Sequence, residues 1–328
     1  MSLKIGLLGA GGHSRVCHGP ALKLFCKNNP DQIELSAICD LDSEKADKYA
    51  EEFGFNRAYT DLDKMLDKEN LDGILAITPI SITEKIAGYL LKKNIPVLIE
   101  KPPGADLDAA KRLLSLAEKC GTPHMISFNR QFVPAIQKAC DWINAGGIER
   151  QPKIVIARML RAVRREDNFA AATGIHVVSA ILCLLDKPKV ITTVKTLVPE
   201  SGCFLFNSQI KFENGSSASL IISPDVGNVE ETYEIHGYDY CISININSLD
   251  HKANCSLEIK HISETVLAWQ APSNYENSEL DGTYGETEAF VKSLQGKRAW
   301  SPSLKDGLNI YEVSQAIQNS HKYTLENR

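Results

Sequence analysis

The chain has 328 residues, 43% of them hydrophobic and 23% charged, with a formal net charge of −5. That length supports two domains, each with its own core, and the mild acidity gives no reason to expect nucleic acid or an anionic membrane as partner. No apolar run reaches the roughly 20 residues of a membrane span, and the N-terminal apolar stretch is broken by glycines and lacks a signal-peptide cleavage pattern, so a cytoplasmic protein is expected.

Nine cysteines are scattered with no C-x-x-C pair. They read as reduced core residues, which argues against zinc, and no metal is expected.

The first element is Lys4-Ile5-Gly6-Leu7-Leu8-Gly9-Ala10-Gly11-Gly12-His13-Ser14. Ile5, Leu7 and Leu8 suit a strand covered on both faces of a parallel sheet. Gly9 and Gly11 match the first two glycines of the dinucleotide fingerprint: one permits the tight turn, the other lets backbone approach a pyrophosphate at a helix N-terminus. Ser14 takes the third position, where Gly or Ala is usual, so helix and strand are expected slightly further apart. Gly9, Gly11, Gly12, His13 and Ser14 are the expected cofactor cradle. A second strand, 33–40, ends at Asp40, where a carboxylate would accept both ribose hydroxyls of an adenosine and repel a 2′-phosphate. NAD is therefore favoured over NADP. Asp40 could instead merely open the turn Asp40-Leu41-Asp42-Ser43.

Strand and helix then alternate. A first helix is expected over 14–28, a second from a Ser43 cap to Phe53 with Gly54 as its stop, and a short third capped by Thr60. A strand over 72–77 runs into Thr78-Pro79. Ser81-Ile82-Thr83-Glu84 reads as a capping box for a helix to Lys93. A strand over 96–99 ends at Glu100-Lys101-Pro102-Pro103, followed by a helix over 106–121 and a strand over 124–128. This is the pattern of a doubly wound parallel sheet.

From about residue 150 the rhythm changes to segments rich in Val, Ile and Thr: 154–162, 190–197, 204–212, 217–222, 233–236, 241–246 and 257–262. Turns such as Asn214-Gly215 and Gly237-Tyr238-Asp239 separate them. The alternation in Ile242-Ser243-Ile244-Asn245-Ile246 predicts a large, mostly antiparallel open sheet. Helices are expected over 173–185, 284–294 and 304–321. The fold class is thus α/β joined to α+β. The division predicted is 1–125, an NAD-binding Rossmann domain, and 126–328, a substrate-binding and oligomerisation domain whose helix 304–321 can pack back on the first.

The glycine turn, Glu100-Lys101-Pro102 and a His-bearing helix together resemble the glucose–fructose oxidoreductase / inositol dehydrogenase (Gfo/Idh/MocA) family over nearly the whole chain. Thr78-Pro79 resembles its loop along the cofactor, Asn129-Arg130-Gln131-Phe132 its N-R-R-F segment, Gly174-Ile175-His176 its G-x-H motif, and Pro302-Ser303-Leu304-Lys305-Asp306-Gly307-Leu308 its C-terminal helix entry. The resemblance implies an NAD-dependent oxidoreductase acting on a sugar, cyclitol or sugar derivative. It gives Lys101 a catalytic role, Glu100 a place at the nicotinamide, and Thr78 and Pro79 places along the cofactor. It also implies a homodimer or homotetramer joined through the C-terminal sheet.

Lys101 follows the carboxyl end of a buried parallel strand, where ligands bind. Its ammonium can hold a substrate hydroxyl, and beside a nicotinamide cation its pKa would fall; it could otherwise be a surface lysine paired with Glu100. His176 can accept the proton of an alcohol as the carbon gives up hydride, or be a core histidine sharing a face with Ala180 and Cys183. Many family members carry Asp four residues before this His and often another three after; here those positions are Ala172 and Ser179. That departure keeps open a catalytically silent NAD- or sugar-sensing regulator, and the resemblance, whose family includes redox-neutral reactions, keeps open an NAD-assisted glycosidase or lyase.

Arg158, Arg161, Arg164 and Arg165 cluster near one strand end, with Arg130 expected nearby. Guanidinium forks suit a phosphorylated, acidic or nucleotide-linked sugar, but alternation puts Arg158 and Arg164 on one face and Arg161 and Arg165 on the other, and a solvated or dimer-facing charge run is the other reading. The expected substrate contacts are Lys101, Asn129, Arg130, Arg158, His176 and Tyr284, with Tyr284 alternatively a plain helix-start residue.

Overall fold

A computed structural model describes residues 2–185, 187–247, 254–319 and 323–324. The chain forms two compact units, Met1–Phe128 with Thr283–Asn309, and Asn129–Gly282 with Ile310–Arg328. The division thus falls at 128/129 rather than at the expected 125/126, and residues 283–309 return to the first unit. The reason is packing. The helix Thr283–Leu294 seats Phe290 and Leu294 so closely that a Cβ on Gly73 would come within 2.9 Å of both. The Ile126 amide donates to the Pro302 carbonyl at 2.9 Å.

In the first unit β1 (Leu3–Leu8), β2 (Ile33–Cys39), β3 (Arg57–Tyr59), β4 (Gly73–Ala76), β5 (Val97–Ile99) and β6 (His124–Ile126) form one sheet in the order β3-β2-β1-β4-β5-β6. Every pairing in it is parallel. Ile5, Leu7, Ile74, Leu75, Leu98 and Ile99 are fully buried, as helices on both faces require. The strand order reverses direction between β1 and β4, and ligands bind at that switch point.

The helix starts differ from the sequence reading in detail. Asp42, not Ser43, caps the helix Ser43–Phe53, its carboxylate accepting from the Lys45 amide. Asp61, not Thr60, caps Leu62–Lys68. The helix Ile80–Lys92 has Pro79 at its N-cap and no side-chain cap, so Ser81 and Thr83 lie within its first turn, and the Thr83 hydroxyl donates to the Pro79 carbonyl instead. Gly54 and Gly121 do end their helices in the left-handed conformation. The first helix is not regular from Ser14. Residues Ser14–His18 form a π turn before the α-helix Gly19–Asn28.

In the second unit β7 (Ile154–Leu160), β8 (Pro188–Val198), β9 (Cys203–Phe212), β10 (Ser217–Ser223), β11 (Glu230–His236), β12 (Tyr240–Asn247), β13 (Asn254–His261), β14 (Glu264–Gln270) and β15 (Tyr323–Thr324) form a second sheet. Its order is β14-β13-β12-β11-β7-β10-β9-β8-β15. Among the described residues only the β7–β10 pairing is parallel. One face is apolar: Val155, Ala157, Met159, Leu220, Tyr233, Ile235, Ile242 and Ile259 are buried. The helices Pro134–Ala145 and Ile175–Leu184 cover it with Ala135, Ala139, Ile143, Val177, Val178 and Ile181. At about 1.5–3 kcal/mol for each large apolar side chain buried, this face anchors the unit. The other face alternates polar and open.

The helix expected over 304–321 runs Leu304–Gln318; residues 320 and 321 lie outside the described residues. Its first six residues belong to the first unit, where Gly307 faces Ile126.

Candidate active site

Gly9 sits at φ +98°, and a Cβ there would stand 2.1 Å from the Ile77 carbonyl oxygen. The turn is held by the Gly9 amide on the Cys39 carbonyl and the Ile77 amide on the Leu8 carbonyl, both at 2.9 Å. Only glycine fits so close an approach of β1's end to β4's. At Gly11 and Gly12, by contrast, a Cβ would meet nothing within 4 Å. Their backbone is open to a ligand, the setting a pyrophosphate needs.

Ser14 differs from expectation. It is buried, and its hydroxyl is spent on the Tyr49 hydroxyl at 2.8 Å. Only its backbone remains for a cofactor. Asp40 does two things. One carboxylate oxygen accepts from the Asp42 amide at 3.0 Å, which opens the turn, and the other accepts from the Ala10 amide at 2.7 Å, which ties β2's end to the glycine turn. Thr78 and Pro79 follow β4 directly, with the Thr78 hydroxyl 3.5 Å from that of Thr83.

Glu100 and Lys101 follow β5. Glu100 is buried, with one carboxylate oxygen 3.3 Å from His18 Nε2 and the other 3.6 Å from His13 Nε2. Burial alone would raise its pKa. The hydrogen bonds from His13 and His18, and the charges of His13 and Lys101, outweigh it and hold the carboxyl well below the usual range. Half-exposed His13 is raised to about 10, first by its hydrogen bond to Cys17 and then by that to Glu100. The sequence reading missed His18. Five residues separate it from His13, and a regular α-helix turns such a pair about 140° apart. The π turn, whose bonds run from i to i+5, brings the two rings to 5.5 Å between centroids. His13, His18 and Glu100 offer ligand atoms within 4.8 Å of one another, a donor set that also suits a divalent ion; no spacing in the sequence marks it.

The charge on His13 gives a testable pH dependence. Its folded pKa lies above its unfolded value of about 6.5. Its contribution to stability is therefore full below 6.5 and fades as pH rises through about 10. Urea melts should find His13→Ala most destabilised relative to the parent at pH 6, with the gap closing towards pH 10. A gap that widens with pH would refute the pairing.

In the second unit the helix bearing His176 is Ile175–Leu184, with Gly174 rather than Thr173 at its N-cap and no side-chain cap. A Cβ on Gly174 would stand 2.6 Å from the Ala170 carbonyl oxygen and 2.8 Å from Ile222, which accounts for the glycine of G-x-H. His176 is half-buried. The Ser179 hydroxyl donates to the His176 carbonyl at 2.7 Å.

The expected arginine site is not formed. Arg130 and Arg161 are both buried, and both bind Glu231: Arg130 Nε at 2.8 Å and Arg161 through its Nη2 at 2.5 Å. Arg130 also donates to the Asp281 carbonyl at 3.1 Å, and the Tyr233 hydroxyl donates to Glu231 at 3.0 Å. Burial would raise the Glu231 pKa, but the two guanidinium charges hold it down. Arg130 is thus an ion partner of Glu231.

Arg158 lies elsewhere. It alternates with buried Ala157 and Met159 and lies on the open face, near Glu230 at 3.4 Å. There it lines a polar groove of about 590 Å³ with Thr232, Glu234, Ser243 and Glu258. The helix with His176 covers the opposite face, so Arg158 and His176 cannot serve one ligand in this unit. Arg164 pairs with Glu166 beyond the strand's end. Asn129 opens the turn Asn129–Phe132, its carbonyl pressed against Gly282. Tyr284 lies in the first turn of Thr283–Leu294, 6.0 Å from the Phe25 ring, and accepts from Asn28 Nδ2 at 3.4 Å.

Comparison with known proteins agrees with this geometry. Residues 3–128 match the oxidoreductase family with an NAD-binding Rossmann fold. The Saccharomyces cerevisiae protein YMR315W is 26% identical over 197 residues, covering 56% of this chain and 55% of that one. Inositol 2-dehydrogenase of Corynebacterium glutamicum is 25% identical over 163 residues, 47% of each chain. The chain therefore spans about half the length of these curated relatives. The solved structure of a levoglucosan dehydrogenase in complex with NADH has the same fold, with a TM-score of 0.82 over 98% of this chain and 97% of its own at 20% identity. The glycine turn, the strand order around it and the sequence match over the whole parallel sheet agree: residues 3–128 form the NAD-binding Rossmann domain of the Gfo/Idh/MocA oxidoreductase family.

Proposed function

We propose that the protein is an NAD-dependent oxidoreductase that moves a hydride between nicotinamide and a hydroxyl-bearing carbon of a sugar, cyclitol or sugar derivative. The observation that carries this is the gathering of an open glycine turn, Asp40, Thr78 and ionised Glu100 at the carboxyl ends of β1, β2, β4 and β5, around the switch point. Backbone at Gly9, Gly11 and Gly12 would hold the pyrophosphate, Asp40 the adenosine ribose, and Glu100 the nicotinamide end. NAD, when bound, supplies the hydride acceptor. Lys101 holds the substrate hydroxyl, and His176 takes up its proton. The inositol and levoglucosan dehydrogenases among the relatives support a polyol or sugar substrate.

The test is a panel of sugars, cyclitols and nucleotide sugars offered with NAD, read by the absorbance of reduced nicotinamide. Reduction with one class of polyol is the expected result. Tight NAD binding with no reduction by any of them would replace this reading with a sensor, and product formed without net NADH would replace it with a redox-neutral lyase or glycosidase.

Asp40→Ser should weaken NAD binding about tenfold or more, roughly 1.4 kcal/mol, while NADP binding holds or improves. Fluorescence titration with both cofactors measures it. A parent that binds NADP more tightly than NAD would overturn the role given to Asp40.

The open face of the second sheet, where Ile154 and Val194 are exposed and Arg158 lines its groove, is the surface we assign to a second copy of the chain. Light scattering should find a dimer or tetramer; a monomer alone would remove that assignment. No helix among the described residues is long and apolar enough to cross a membrane. Nine cysteines without a disulfide among the described residues suit the reducing cytoplasm.

A further inference from the structure

The nine cysteines were expected in the core, yet only Cys39 and Cys255 are buried. Two of the others meet. Cys140 lies on the helix Pro134–Ala145 and Cys183 on the helix Ile175–Leu184, and their Sγ atoms are 3.8 Å apart across 43 residues of chain. Cys183 is exposed and Cys140 half-buried, so an oxidant in solution reaches the pair from the Cys183 side. A bonded pair of sulfurs stands about 2.05 Å apart. The two need to close by roughly 2 Å or less, within the compass of a side-chain rotation and a small helix shift.

We propose that Cys140 and Cys183 form a reversible disulfide under peroxide, clamping the helix that carries His176 to the helix Pro134–Ala145. The Cys183 thiolate attacks one oxygen of hydrogen peroxide. The O–O bond breaks, Cys183 becomes a sulfenic acid, and hydroxide leaves to be protonated to water. Cys140 sulfur then attacks Cys183 sulfur. The S–S bond forms, the S–O bond breaks, and the departing hydroxide takes up the Cys140 proton as a second water. Two thiols lose two electrons in total, and peroxide gains them. A dithiol reductant reverses the reaction by exchange.

The division of labour follows from the surroundings. The Cys140 thiol is held protonated, first by its hydrogen bond with Cys183 and then by burial. It is poorly placed to meet peroxide itself, and what fits it to resolve a sulfenic acid on Cys183 is proximity, 3.8 Å between the sulfurs, with its proton passing to the departing hydroxide. The chemistry does not depend on the substrate or on turnover, so it stands or falls separately from the oxidoreductase reading.

The test is mass spectrometry of the intact chain after mild peroxide, alkylation and proteolysis. The expected product joins the Cys140 peptide to the Cys183 peptide, disappears with dithiothreitol, and slows amide hydrogen exchange over Ile175–Leu184. In Cys140→Ser the sulfenic acid on Cys183 should persist and be trapped by dimedone. In Cys183→Ser, Cys140 should stay reduced at the same dose. The proposal is overturned if oxidised Cys183 is found joined to another cysteine or driven to sulfinic acid in the parent chain. It is equally overturned if Cys140 is oxidised as fast without Cys183, or if both thiols survive a dose that oxidises the other exposed cysteines.

Discussion

Lys101→Met is expected to lower kcat by about 10²- to 10⁴-fold, the usual worth of a positioned acid–base group, while NAD affinity stays near that of the parent. The separation follows from the site. Glu100 is held ionised by His13 and His18 as well as by Lys101, so losing the ammonium leaves the carboxylate anchored by two imidazoles. The cofactor end of the site keeps its shape, and the loss falls on the chemical step. Steady-state rates of nicotinamide reduction, set beside direct NAD titration, read both quantities. A kcat within about threefold of the parent would end the role given to Lys101, and a large rise in NAD Kd would recast it as a cofactor contact. His176→Gln tests proton uptake in the same assay, and its loss should be partly offset as pH rises and hydroxide can take the proton instead.

Glu231→Ala should destabilise the second unit by about 3–5 kcal/mol, the cost of leaving buried charge without its counter-ion. Two guanidiniums, those of Arg130 and Arg161, share this one carboxylate, and both are more than nine-tenths buried. Removing it strands both, along with the Tyr233 hydroxyl. Glu231→Gln should cost less, because the amide keeps one acceptor and the volume. Denaturant melts of the three proteins give the ranking. The same triad predicts acid sensitivity. The folded pKa of Glu231 lies below its unfolded value, so its contribution is present above about 4.3 and is lost as pH falls further. If Glu231→Ala melted within 1 kcal/mol of the parent, Arg130 would be free to return to the list of ligand contacts.

The parallel sheet was legible because its strands are short apolar runs, each ending on a residue with chemistry: Gly9, Asp40, Thr78 and Glu100. β3 escaped notice because it is three residues long and only partly buried. β14 escaped because nearly all its residues are exposed and carry no alternation. Two of the misplaced caps fell one residue away because Asp42 beside Ser43 and Asp61 beside Thr60 are equally good acceptors and only backbone geometry chooses. The arginine cluster misled for a different reason. Arg130 and Arg161 find Glu231 across 101 and 70 residues, and a carboxylate that distant gives no local sign. Alternation places Arg158 on the open face, but the strand stops at Leu160, so the rule says nothing of Arg161, Arg164 or Arg165.

The π turn at Ser14–His18 has one further consequence. It holds a surplus residue between the glycine turn and a helix otherwise in step with the sheet. A chain lacking one residue there could continue as plain α-helix, with Gly19 onward still seated against Phe53. It would have swung the second imidazole off the carboxylate. The bulge therefore acts as a phase shifter, adding a ligand to Glu100 without moving the helix that follows.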